Sequence, residues 1–172
     1  MKTKILIPIY NDWKSVFKLL ETINIQLDGW KADISAIIIN DASIEERPSN
    51  IPLLENLKSI HIINMKENKG HARCNATGLK YIMEKEDFDY IILMDGDGED
   101  RPAEFGSLLC KGYENPDKVV TADRVKRSEG LFFKFCYLVH KYITFIFTGK
   151  SIKYGNYSCL PKFAVNKMIN EA

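Results

Sequence analysis

Four short apolar runs, at residues 4–9, 35–40, 59–64 and 90–94, alternate with helical stretches through the first hundred residues of this chain. The run Tyr90-Ile91-Ile92-Leu93-Met94 has the composition of a strand buried on both faces, and the other three read as strands beside it. Between them, residues 12–27 set Val16, Phe17, Leu19, Leu20 and Ile23 on one helical face, and residues 75–86 form a second helix. The connection holding Pro48 and Pro52 carries a short helix of its own around residues 53–57. Strands separated by helices need right-handed crossovers, so the fold class is α/β: a Rossmann-like, doubly wound, mainly parallel sheet flanked by helices. Ligands of such sheets collect beyond the carboxyl ends of the strands.

At one of those ends stand the hardest acids of the chain. Asp95-Gly96-Asp97-Gly98 follows the 90–94 strand directly, and Glu99 continues the alternation of carboxylates. Taken alone, Asp-x-Asp is common in solvated turns. At the end of a buried strand, two carboxylates on extended backbone can reach one Mg²⁺ or Mn²⁺, ions that prefer oxygen and share their remaining positions with phosphates and water. Asp95, Asp97 and Glu99 are therefore the candidate metal ligands, while Asp100 falls on the opposite side and is expected to cap a helix starting at Pro102. An EF-hand is excluded, because its sixth position would be Asp100 rather than Gly and its twelfth Gly106 rather than Glu.

Composition narrows the partners. The 172 residues suit one domain, and 24 Lys+Arg against 23 Asp+Glu, a net +1, give no footprint for nucleic acid. Cys74, Cys110, Cys136 and Cys159 are widely spaced with no Cys-x-x-Cys pair, which argues for reduced core thiols and a cytosolic setting. Between Met1 and Pro8 there is no room for the ~7–15 residue apolar core of a signal peptide. Residues 118–122 offer one more strand. Residues 131–147 are apolar but broken by Lys134, His140 and Lys141, short of the ~20 apolar residues of a spanning helix. Their aromatics fit a helix lying in a membrane interface at the cytoplasmic face; an ordinary core or homodimer helix fits equally. A last helix covers residues 161–169.

Four motifs in order carry a family resemblance: Ile7-Pro8-Ile9-Tyr10-Asn11-Asp12, Ile39-Asn40-Asp41-Ala42-Ser43, Asn68-Lys69-Gly70-His71-Ala72-Arg73-Cys74-Asn75-Ala76-Thr77-Gly78, and Met94-Asp95-Gly96-Asp97. Together they resemble the inverting family-2 glycosyltransferases of the GT-A fold. The stretch from Met94 to Glu104, and Arg124-Val125-Lys126-Arg127 before an aromatic helix, look like the branch that transfers sugars to dolichyl and polyprenyl phosphates. The resemblance implies a single catalytic domain over residues 1–172, with a nucleotide-binding half at 1–97 and an acceptor-side half at 98–172. It places Pro8, Tyr10 and Asn11 against the nucleotide base, with Asn11 or Asp12 also capping the first helix. Asp12 stands where the family commonly has Glu, and Asn40 replaces the usual first Asp of the pair ending in Asp41, which would hydrogen-bond the base. Arg73 would face the nucleotide, Asp95 would meet ribose and metal, Gly96 would line the nucleotide-sugar site, and Asp97 would ligate the metal. Arg124 and Arg127 would meet the diphosphate or an acceptor phosphate and, with Asp97, make up the catalytic set. Asn75 and Gly78 are assigned to helix packing, and His71 and His140 to structure.

The implied reaction moves a sugar with inversion from a UDP- or GDP-linked donor to a lipid phosphate or glycan acceptor. Residues 149–158 hold no carboxylate where many family members place a base. A phosphate acceptor is already an anion and needs none; the other reading puts the base beyond residue 172. A pyrophosphorylase would need a Gly-rich basic loop after the first strand, which Tyr10-Asn11-Asp12-Trp13 does not supply. The non-enzymatic alternative is a GT-A module that binds nucleotide or partners without turnover.

Overall fold

The structure, a computed structural model, describes residues 1–98, 100–122 and 157–170. Their elements run β1 (Lys2–Ile9), α1 (Trp13–Gln26), β2 (Asp33–Asn40), β3 (Ile60–Asn64), α2 (His71–Lys85), β4 (Tyr90–Leu93), a 3₁₀ turn (Pro102–Glu104), α3 (Phe105–Glu114), β5 (Val120–Thr121), β6 (Ser158–Pro161) and α4 (Lys162–Asn170). The sheet order is β3-β2-β1-β4-β6-β5. β1 pairs in parallel with β2 and β4, and β2 with β3, whereas β6 runs antiparallel to both β4 and β5. The α/β, mainly parallel sheet expected from the sequence is the one observed.

Both faces of the central strands are covered, which is why their sequences are continuously apolar rather than alternating. Leu6, Ile37, Ile39, Ile91 and Leu93 join Cys74, Leu79 and Ile82 of α2 and Val165 of α4 in one cluster. Their strand neighbours Ile5, Ile7, Ile38 and Ile92 point to the other face and are equally buried. Gly78 brings α2 down onto the sheet: a Cβ there would stand 2.4 Å from Leu6 Cδ1 and 2.9 Å from Ile39 Cγ1. α1 buries the five residues its periodicity marked, and Trp13 with them.

Several local expectations give way. No helix forms at residues 53–57; the segment is a turn closed by Leu57 N–H to Leu54 O, and the Asn56 N–H goes to the Asn24 side chain of α1 rather than to a carbonyl of its own segment. α2 begins at His71 rather than Asn75. β6 is not among the expected strands; pairing with β4 makes residues 158–161 a strand, and the last helix starts at Lys162 rather than at 161. Asp100 is no helix cap, because its carboxylate is drawn to the Asp95 backbone instead. Cys74 and Cys159 are buried free thiols, but Cys110 is exposed, lying opposite the α3 face made by Phe105, Leu108, Leu109 and Gly112. Cys136, Arg124, Arg127, His140 and the 131–147 stretch lie outside the described residues, as does Glu99. Among the described residues no helix is long and apolar enough to cross a membrane.

At the amino ends of the strands, Lys4 Nζ donates to Glu86 Oε2 at 2.8 Å with both side chains nearly covered, and His61 Nδ1 lies 3.4 Å from the other oxygen. The Lys4 hydrogen bond, aided by the Lys4 charge and by His61, holds the Glu86 carboxyl below its ordinary value. A carboxyl depressed in the folded state stabilises the fold above its unfolded pKa, and that contribution is lost as pH falls through the folded value. Urea midpoints should therefore drop as pH falls below ~4. In Glu86→Gln part of that drop should vanish; an acid limb identical to the parent's would show the pair to be without effect.

Candidate functional site

The strand order reverses direction between β1 and β4, which makes the crevice beyond their carboxyl ends the switch point where open α/β sheets take ligands. A cleft of about 200 Å³ opens there, lined by Pro8, Ile9, Tyr10 and Asp12 from the end of β1, Asp41 after β2, His71 and Cys74 of α2, and Asp95, Gly96 and Asp97 after β4. A more open hollow of about 370 Å³ lies at the other end of β4, against Met1, Tyr90, Pro161 and Phe163. Among the described residues its charged side chains are Asp89 and Lys162, with no convergence of acids, so the smaller cleft is the chemical one.

Three loops meet at the cleft because side chains knit them to the sheet. Asp41, only 4% exposed, accepts the Lys69 N–H on Oδ1 and the Gly70 N–H on Oδ2, both at 2.8 Å. One buried carboxylate thus fixes the approach to α2, whose lead residue Gly70 adopts φ +82°, a conformation open to glycine. Asn40 bridges to Asn64 and accepts the Ser43 N–H. Asn11, itself at φ 59°, accepts the backbone N–H groups of Ile44 and Glu45 and donates its own N–H to Ser43. Its side chain therefore braces the loop after β2 instead of capping α1, where Asp12 takes the cap position without a side-chain bond.

The acidic loop after β4 lies flat on β1. Gly96 permits this: a Cβ would sit 2.8 Å from Ile9 Cγ2 and 3.3 Å from the Pro8 carbonyl oxygen. Gly98, at φ +80°, turns the chain, and Asp100 Oδ2 closes the loop by accepting the Asp95 N–H at 2.8 Å. Asp95 is half-buried and Asp97 exposed, so their carboxylates border the opening. His71, at the start of α2, brings Nε2 to 3.4 Å from Asp95 Oδ1 and 2.9 Å from Asn75 Nδ2. Cys74 takes no part as a nucleophile: burial, then the Asp41 charge, push its thiol up to about 12, and it donates to the Ile39 carbonyl.

Residues 4–168 match the family profile described as Glycosyl transferase family 2. The chain belongs to that family. Curated relatives of this family-2 chain include undecaprenyl-phosphate 4-deoxy-4-formamido-L-arabinose transferases. That of Proteus mirabilis is 24% identical over 92% of this chain and 47% of its own length, and that of an Enterobacter species 25% identical over the same shares. The chain thus spans about half the length of these relatives. Among solved structures, glucosyl-3-phosphoglycerate synthase from Mycobacterium tuberculosis in complex with UDP superposes with TM-score 0.62 at 11% identity, covering 93% of this chain and 56% of that one. S. aureus TarS 1–349 in complex with UDP-GlcNAc gives 0.53 at 16% identity, over 76% and 37%. At these identities the likeness establishes the GT-A fold.

Of the site residues expected of a family-2 transferase, the cleft gathers Pro8, Tyr10, Asp12, Asp41, Asp95, Gly96 and Asp97. Asn11 stands behind the wall, and Arg73 is exposed on α2 outside the described lining, because a residue two positions from His71 is turned well round the helix. His71 and Cys74 enter the lining unannounced. His71 had no sequence neighbour at ligand spacing, since its partner Asp95 is brought up by the fold. The two oxygen-donor acids fit a hard divalent cation, though among the described residues no group of three His, Cys, Asp or Glu is placed to hold one. A cation here would draw further oxygens from a diphosphate and water.

Proposed function

We propose that this chain is a family-2 catalytic domain that transfers a sugar, with inversion, from a UDP- or GDP-linked donor to a polyprenyl phosphate or a related glycan precursor. The observation that carries the reading is the convergence of Tyr10, Asp41, Asp95 and Asp97 on one cleft at the β1–β4 switch point. Tyr10 offers an exposed ring on which a base can stack. Asp41 organises the Lys69–Gly70 backbone under the base. The cleft volume lies below the ~300–1,000 Å³ usual for ligand sites and suits part of the donor. Asp95 and Asp97, joined by Glu99, would hold Mg²⁺ or Mn²⁺, whose charge offsets that developing on the departing diphosphate. Arg124 and Arg127 are assigned to phosphate contacts on the acceptor side. A lipid phosphate attacks as an anion, so the acceptor needs no protein base. The names of the curated relatives support this acceptor class, and the aromatic composition of residues 131–147 suits a membrane-interface or homodimer contact.

Calorimetry with UDP and with GDP, in Mn²⁺ and in EDTA, tests the donor half. One nucleotide should bind in Mn²⁺ and weaken at least tenfold in EDTA, and Asp97→Ala should remove the difference while its melting temperature stays unchanged, since the side chain is exposed. No binding of either nucleotide by folded protein would sink the reading. Metal-dependent binding without sugar transfer to polyprenyl phosphate would mark a binding module.

A further inference from the structure

Among the described residues that line the cleft, four are acids, Asp12, Asp41, Asp95 and Asp97, and His71 is the one basic side chain. A nucleoside diphosphate brings further negative charge into that acidic setting. The position of His71 suits it to answer that charge. It opens α2, a helix of 15 residues whose start has no side-chain cap, so the first-turn N–H groups and the positive end of the helix dipole face the same end as the imidazole.

A second, independent observation lies one turn further on. Asn75 is 8% exposed, its Nδ2 meets His71 Nε2 at 2.9 Å, and its Oδ1 is buried with no hydrogen-bond partner among the described residues. Turning the amide over exchanges an unpaired oxygen for an unpaired NH₂, so either orientation commits half the amide to His71 and leaves the other half unsatisfied, at about 1–3 kcal/mol. An apolar residue would fill this helix-packing position without that cost. Buried polar groups that stay unsatisfied call for a reason, and the contact made by the other half supplies it.

We propose that His71 and Asn75 form a donor-binding pair, in which Asn75 fixes the imidazole and the imidazole contacts the diphosphate of the nucleotide sugar beside Asp95. His71 is the contact residue; Asn75 is a positioning residue acting through it. Whichever tautomer the ring adopts, Asn75 engages it at Nε2, and Nδ1 is the ring's other hydrogen-bonding atom. The pair takes over on the donor side the basic role that the family resemblance gave to Arg73. The inference rests on the donor-site reading above and names the group that meets the phosphates.

The test is calorimetry on the full chain in Mn²⁺, using UDP or GDP, whichever binds, beside the corresponding nucleoside. His71→Ala should weaken the diphosphate about tenfold, the loss of one hydrogen bond to a charged group, and leave nucleoside affinity unchanged. His71→Gln, which keeps a donor, should restore part of it. Asn75→Leu should melt at or above the parent temperature and still bind the diphosphate at least threefold more weakly, a combination that a packing role would not produce. Equal diphosphate affinity in His71→Ala and parent, with Asp97→Ala defective, would overturn the pair and spare the donor site. A lower melting temperature for Asn75→Leu with unchanged affinity would return Asn75 to packing and overturn its positioning role. Failure of the parent to bind either nucleotide would remove the donor site and the pair together.

Discussion

Asp41→Asn should lower the unfolding free energy by about 2–4 kcal/mol and reduce nucleotide binding below detection, although the substitution changes one atom and no volume. Both oxygens of the carboxylate receive backbone N–H groups, from Lys69 and from Gly70, inside a site shielded from water. An asparagine keeps an acceptor for one of them and turns an NH₂ toward the other. The variant therefore loses a charge-assisted bond, worth ~1.5–3 kcal/mol, and faces donor with donor. The consequence spreads because Lys69 and Gly70 deliver the chain into α2, which carries His71 and Cys74 to the cleft wall. Asp41 is also tied in by its own N–H, which donates to the Ile9 carbonyl at the end of β1. Urea denaturation measures the first loss and calorimetry the second. Unchanged stability with lost binding would mean that Asp41 serves the base alone, and its role as organiser of the loop would be dropped.

What could be read from the chain, and what could not, divides along one physical line. β1, β2 and β4 are covered on both faces, so beyond the charged residues at the starts of β1 and β2 burial is written into each position and the runs stand out. Their order also put Asp95 and Asp97 at a strand end, and the acids are there. β6 has only Ser158-Cys159-Leu160-Pro161 to announce it, and its register with β4, Leu93 to Ser158 and Tyr90 to Pro161, joins segments more than sixty residues apart. No local pattern encodes such a pairing. The start of α2 was missed because its cap position is Gly70, with no Ser, Thr, Asp or Asn side chain to signal it. In the sequence Asp41 reads as a base contact, Asn11 as a base contact and a candidate cap, and Asp100 as a cap; the structure shows what else their oxygens do, because acceptors near a site are claimed first by the backbone of the loops that build it. His71 was left aside for want of a neighbour in sequence, and its neighbour is 24 positions away, at Asp95.

Asp100→Ala separates two kinds of acidic residue within one short loop. Asp100 lies outside the cleft lining and is 5% exposed, whereas Asp97 lines the cleft and is open to solvent. Its Oδ2 holds the Asp95 N–H, so truncation leaves that amide without this acceptor and frees the turn through Gly98. Its charge also reaches Tyr157, whose hydroxyl is buried with no hydrogen-bond partner among the described residues and whose ionisation is pushed well above the ordinary range by burial first and by the charges of Asp100 and Glu104 next. Alanine at 100 would thus remove a charge felt by a buried phenol as well as releasing the loop. A stability loss of about 1.5–3 kcal/mol follows from the lost charge-assisted bond. Nucleotide affinity should fall at least tenfold as Asp95 loses its fixed position. Asp100→Asn, whose amide oxygen can still accept, should lie between parent and alanine in both measurements. Asp97→Ala should show the reverse pattern, binding lost and stability kept. If Asp100→Ala matched Asp97→Ala, with a parental melting temperature, the carboxylate at 100 would belong to the ligand rather than to the loop.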